Sequence, residues 1–189
     1  MTDTAAGDDP ADAFPSLDDV EDPTLRAGVR DAWAIALAES GWDDLASVPW
    51  LPDEQERLGL PDETLVEHVN DVVELSRSMA EVLGGRRGDV VSTDLVLAGA
   101  LIHDVSKLLE FAPDSPGGTA YYDLLGHPYA GVHVCESAGL PVELSHVVLS
   151  HSRRTAVEPA TMEAVLVARA DAVAAAAIRS RALDDLRDA

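Results

Sequence analysis

Apolar residues recur three and four positions apart through most of the chain after residue 20, the period of helices that each bury one face. Leu25, Val29, Trp33 and Leu37 form such a stripe in a helix predicted over 24–40 and closed by Gly41. A second helix is predicted from about 62 to 83, with Leu65, Val69, Val72, Val73, Met79 and Val82 inward and Gly84-Gly85 as its end. A third takes Ser92 or Thr93 as N-cap and runs unbroken through 95–111; it is apolar nearly all round, which marks it as the central buried element. Pro128 opens a helix that stops at Gly139, and Pro141 opens another that reaches His151. Glu158 or Pro159 begins a long alanine-rich helix through about Leu186, with Asp171 at its middle. No stretch alternates with the period of a strand. The predicted fold is all-α, a bundle of about six or seven helices.

The remaining segments divide the chain. Residues 1–20 carry Asp3, Asp8, Asp9, Asp12, Asp18 and Asp19 among small residues, and are expected to form a flexible acidic tail. Residues 21–61 hold the first helix and a proline-broken connector with Trp42, Trp50 and Leu51, large side chains that need burial. Residues 62–186 make the main domain. Within it, 113–125 is irregular and reads as a lid or substrate-facing loop, where Tyr121 and Tyr122 could stack on a ring or simply pack.

Composition narrows the function. A hydrophobic content of 47% with few aromatics suits a closely packed helical core. A net charge of −22 argues against general affinity for long nucleic acid or an anionic membrane, which need the opposite sign. Lysine is almost absent beside 35 acidic residues, a balance expected of a protein that works in concentrated salt. The lone Cys135 leaves neither an internal disulfide nor a thiolate metal cage. The longest uncharged apolar run, 95–102, is too short to span a membrane, and the acidic start has no signal-peptide pattern, so a cytoplasmic protein is expected.

The chemistry lies in polar residues set among apolar ones. His68, the pair His103-Asp104, His127, His151 and Asp171 each fall on an apolar helical face or at a helix end, where an unpartnered polar group is costly. Asp171 stands between Val165-Leu166-Val167-Ala168 and a run of alanines, and a carboxylate there needs a cation, either arginine or metal. Imidazole with carboxylate suits iron, manganese, cobalt or zinc better than calcium. Six side chains exceed what one tetrahedral ion takes, and the two oxygens of Asp104 could bridge a pair of ions that clamp a phosphate and activate water. Lys107, the only lysine, follows Asp104 by three and His103 by four, so a helix sets it beside both. A compact ammonium there suits a phosphate. Arg153 and Arg154 could reach a second phosphate, or could merely favour a helix C-terminus. One histidine on an apolar face is more often a hydrogen-bonded core residue than a ligand, which is the reading given to His133 and His146. Five such positions call for a common explanation.

The order His68, His103-Asp104 with Lys107 following, Gly126-His127-Pro128, His151 and Asp171 resembles the HD-domain superfamily of metal-dependent phosphohydrolases over roughly 62–180. The resemblance implies a helical HD-domain bundle in which His68, His103, Asp104 and Asp171 hold one metal. Asp104 would bridge to a second metal held by His127 and His151, as in the two-metal branch, with iron, manganese or cobalt as the ions. Catalytic roles fall to Asp104 and Lys107, and a nucleotide or small phosphorylated metabolite is the expected substrate of a phosphomonoesterase or phosphodiesterase. Two departures stand out: no Gly-Tyr-Pro follows the core, and Ser150 and Ser152 flank His151 where many relatives carry a second histidine. The family's fold also serves di-iron oxygenases that can keep the lysine, and it could serve as a non-catalytic nucleotide-sensing module.

Overall fold

The computed structural model describes residues 9–88, 90–113 and 118–188. Its elements are α1 Pro10–Ala13, a 3-10 turn Pro15–Asp19, α2 Pro23–Glu39, α3 Pro52–Leu58, α4 Leu65–Arg87, α5 Thr93–Ile102, α6 Lys107–Glu110, α7 Ala120–Leu124, α8 His127–Ser137, α9 Val142–Ser150, α10 Met162–Arg179 and a last 3-10 turn Leu186–Asp188. No strand occurs among the described residues; an isolated bridge joins Pro49 and Thr64. The fold is all-α, as the apolar period predicts. The extra short helices, α1, α3, α6 and α7, span too few turns to show a period.

Side-chain caps start the long helices. Asp22 accepts the N–H groups of Thr24 and Leu25 ahead of α2, with Pro23 in the first turn. Thr64 and Glu67 form a reciprocal capping box at α4, and Thr161 caps α10 through the Ala164 N–H. The last helix therefore begins after Thr161 and not at Glu158 or Pro159. It ends at Arg179, short of Leu186. Nor does Gly84-Gly85 end the second helix: α4 continues through both to Arg87 and stops at Gly88, whose φ of 78° suits glycine. Glycine inside a helix costs only about 1 kcal/mol, and Arg86 and Arg87 favour the helix's C-terminal end.

Two further expectations change. Residues 9–20 are not a loose tail: Phe14, Leu17 and Val20 are buried, and Phe14 packs on Trp33 at 4.6 Å between ring centres. Asn70 donates to the Ala13 carbonyl, while Asp94 accepts the N–H groups of Glu21 and Asp22. Three large apolar side chains at turn spacing outweigh the acidic residues between them. Residues 1–8 of the expected tail lie outside the described residues.

The central helix is broken. It runs as α5 to Ile102, and Val105 N–H to Ile102 O and Lys107 N–H to Asp104 O form tighter turns before α6 begins. The break releases carbonyls from the helical ladder, and side chains take them. His103 Nδ1 lies 2.7 Å from Ala100 O, and Trp33 Nε1 donates to Leu101 O at 3.0 Å.

α5 is buried from Val96 through Ile102 and packs on α2, α4, α9 and α10. One core cluster runs from Phe14 to Ala174. The connector is packed: Trp42 Nε1 donates to Phe111 O, and Glu54 of α3 pairs with Arg179 of α10 at 2.8 Å.

Two stability outcomes follow from this packing. A Cβ on Gly131 of α8 would stand 2.4 Å from Val148 Cγ1 and 3.0 Å from Ser106 Oγ. Overpacking costs about 1–3 kcal/mol, against about 1 kcal/mol gained in helix propensity, so Gly131→Ala should lower the urea midpoint. An unchanged or higher midpoint would refute this close approach. Glu54, hydrogen-bonded to Arg57 and Arg179, is held down to about 2. Its folded value lies below the unfolded 4.5, so its stabilisation is complete above that value and fades as pH falls toward 2. The destabilisation caused by Glu54→Gln, read from urea curves, should shrink over that window.

Candidate metal centre

Helix ends deliver most of the polar side chains to one buried place. His103 and Asp104 stand at the C-terminal break of α5, His151 at the C-terminal cap of α9 and His127 in the first turn of α8. His68 and Asp171 come from inside α4 and α10, which pack together. Asp104 is 1% exposed, His103 is fully buried and His68 is 1% exposed. Asp171, 22% exposed at its side chain, is the most open of the six.

The carboxylate of Asp104 faces two histidine groups, one from each oxygen. Oδ2 lies 3.4 Å from both His68 Nε2 and His103 Nε2. His68 Nε2 is also 3.2 Å from Asp171 Oδ1 and 3.5 Å from His103 Nε2. Oδ1 lies 3.4 Å from both His127 Nε2 and His151 Nε2, which are 3.3 Å from each other. These distances are long for hydrogen bonds. They match the edges of a coordination shell, because ligands about 2.1 Å from an ion and roughly 90–110° apart stand roughly 3–3.4 Å from one another.

The tautomers make the same point. A backbone carbonyl can only accept, so His103 Nδ1, beside Ala100 O, and His151 Nδ1, 2.7 Å from Val148 O, must carry the protons. His127 Nδ1 lies 3.1 Å from Glu110 Oε2 and is protonated by the same logic. With these rings neutral, three Nε2 lone pairs point at the oxygens of Asp104. Among the described residues Asp104 Oδ2 accepts no hydrogen bond of normal geometry, although Lys107 Nζ stands 2.7 Å away. Acceptors gathered around acceptors need a cation. His68, His103, Asp104 and Asp171 could hold one metal ion, and Asp104, His127 and His151 a second.

Electrostatics agree. Burial opposes the charge on Asp104, but the Lys107 ammonium and His103 hold its carboxyl well below the usual range. Asp171, despite burial, is held down to about 2 by His68. Burial disfavours protonation of His68 and His151, yet their carboxylate neighbours win and raise both; His127 goes the other way, where desolvation wins.

The other candidates divide. Lys107 is 5% exposed, pairs with Asp104 and donates to Trp50 O at 3.2 Å. Glu110, the other carboxylate within its reach by sequence, binds elsewhere. Arg154 is paired, with one guanidinium nitrogen 2.9 Å from Glu110 Oε1, another donating to Tyr122 O, and its plane 4.5 Å from the Tyr122 ring centre. Arg153 and Tyr121 are exposed. His133 faces solvent near Glu39, and His146 Nε2 accepts the Ala160 N–H, so neither joins the cluster. Residues 114–117 of the expected lid lie outside the described residues. Sequence reasoning missed Trp50, whose ring lies 5.7 Å from that of His68, and the bonds of Glu110. A glutamate between Leu108-Leu109 and Phe111 was the available signal.

An all-helical protein whose buried centre is two histidine groups sharing one aspartate is of the kind that binds divalent metal. The HD-domain family profile matches residues 65–176, more than half of the chain, and the chain belongs to the HD-domain family. It is 31% identical over 110 residues to a dihydroneopterin 2',3'-cyclic phosphate phosphodiesterase of Methanocaldococcus jannaschii, covering 57% of this chain and 44% of that protein. It is 29% identical over 114 residues to a ribonuclease Y of Desulforamulus reducens, covering 60% of this chain and 19% of that one. The chain thus spans less than half the length of either relative. No solved structure matches it significantly.

Metal uptake should release protons. His68 and His151 hold protons to higher pH than a free imidazole and must give them up to ligate, so affinity should rise as pH rises through their titration. Titration calorimetry in buffers of different ionisation heat measures this directly. A heat independent of buffer near pH 6.5 would contradict it.

Proposed function

We propose that the protein is a metal-dependent phosphodiesterase acting on a small phosphodiester, a nucleotide or a phosphorylated metabolite, with two ions of iron, manganese or cobalt. One observation carries the reading: a single buried carboxylate presents one oxygen to each of two histidine groups. Such a pair of ions, when bound, supplies a Lewis acid for the phosphoryl oxygens and makes water a nucleophile at neutral pH. In this reading His68, His103, Asp104 and Asp171 would hold one ion and Asp104, His127 and His151 the other. Lys107 keeps Asp104 ionised and adds a fixed positive charge where phosphate oxygens gather charge.

Two considerations favour a small phosphodiester. One relative is by name a cyclic phosphate phosphodiesterase and the other by name a ribonuclease, so both names point to phosphodiester substrates. The net charge of −22 disfavours the long polyanion of the second name. Asp171, exposed at about a fifth of its side chain (22%), is the most accessible part of an otherwise closed centre, which suits a substrate of limited size. No helix among the described residues is long and apolar enough to cross a membrane, and the reading includes a cytoplasmic location.

The experiment is a screen of small cyclic and linear phosphodiesters and phosphomonoesters with manganese, cobalt or ferrous iron, in high salt, with and without oxygen. Metal-dependent, oxygen-independent release of a phosphomonoester from a diester is expected. Asp104→Asn should reduce it on the order of 10²–10³-fold. Turnover that requires oxygen, or none with any metal, would overturn the proposal.

A further inference from the structure

Glu110 is fully buried on α6, behind the ring of His127 and away from the ions' side. Both of its oxygens are used as acceptors. Oε1 takes the His127 backbone N–H at 2.6 Å and an Arg154 guanidinium nitrogen at 2.9 Å, while Oε2 faces His127 Nδ1 at 3.1 Å. One carboxylate thus grips a single residue at main chain and ring together. That double hold fixes the turn at which α8 begins, the tautomer and the ring plane, and so aims Nε2 at Asp104 Oδ1.

The three neighbouring histidines of the cluster are oriented differently. His103 and His151 donate from Nδ1 to carbonyls three residues earlier, at the ends of their own helices. His68 Nδ1 has no hydrogen-bond partner among the described residues. His127 starts a helix and has no such carbonyl behind it, so its orientation depends on a side chain from another element. Arg154 extends the hold: its other contacts, Tyr122 O and the Tyr122 ring, tie the same carboxylate to α7.

We propose that Glu110 is the positioning residue of the half-centre formed by Asp104, His127 and His151, and that it decides whether that half binds its metal while leaving the other half unaffected. The inference rests on the metal-centre reading above. Chemistry distinguishes Glu110 from a simple packing residue. Glutamine has the same shape but one acceptor oxygen, so in Glu110→Gln either the His127 N–H or its Nδ1–H meets an amide NH2. Glu110→Asp keeps the charge for Arg154 but is one methylene too short to hold ring and backbone together.

The test pairs two measurements on the full chain. Nitrogen-15 imidazole spectra of metal-free protein read the His127 tautomer without reference to metal or activity. Manganese or cobalt titration, counted by equilibrium dialysis, reads the two halves. Wild type should show a single Nδ1–H tautomer for His127. Glu110→Gln should lose it and bind the second equivalent on the order of 10–100-fold more weakly, with the first within about 2-fold. If the glutamine variant does not fold, Glu110→Asp should show the same selective loss. An unchanged tautomer, or equal weakening of both equivalents, in a folded variant overturns the role given to Glu110. A wild type that shows the tautomer but takes up no metal overturns the metal-centre reading and with it the proposed metal selectivity.

Discussion

The burial of the Asp104 carboxylate is the constraint on which this structure depends. An ionised group with 1% exposure loses its hydration, and the ammonium of Lys107 at 2.7 Å supplies a full positive charge in return. Around it stand imidazole rings whose Nε2 atoms are turned inward by the hydrogen bond at the other ring nitrogen. Divalent cations, which these groups could hold, would add the positive charge that such an assembly favours. The packing of α4, α5, α8, α9 and α10 serves to hold these acceptors at 3.2–3.5 Å instead of letting them relax apart.

Helix ends make that possible. The last carbonyls of a helix have no partner within it, and here His103 and His151 supply one from their own side chains. The need of the helix end and the orientation of the imidazole are met by the same bond. A helix that continued from Leu95 to Phe111 would have left Ala100 O inside the ladder and His103 free to rotate. The break at 103–106 is therefore what gives two adjacent polar residues a fixed direction.

Residues outside the matched HD-domain region, 65–176, take part in this arrangement. Trp33 and Trp42 donate to Leu101 O and Phe111 O, close to either side of the break, and Trp50 offers its carbonyl to Lys107. Arg179 lies 5.2 Å from the Trp50 ring centre and pairs with Glu54. Buried residues between Phe14 and Trp50 thus help close the core, and the Trp50 carbonyl holds the lysine. They are part of the domain's energetics even though the family resemblance does not cover them.

The long helices were legible because a buried stripe needs apolar residues three and four apart, and α2, α4 and the start of α5 carry it openly. His68, His103, Asp104, His127, His151 and Asp171 were legible for the opposite reason, as polar residues where burial forbids them without a partner. Other features depended on contacts distant in sequence. Phe14, Leu17 and Val20 look like minor entries in an acidic segment until Trp33 and α5 provide a surface for them. Gly84-Gly85 looks like a stop until Gly88 provides a better one. Arg154 looks free until Glu110 and Tyr122 engage it, and Glu110 takes on meaning only when α6 sets it behind His127. Local composition determines which groups must be buried and which cannot be buried alone. Which group compensates which is a matter of angle and distance between elements, and that the tertiary structure decided.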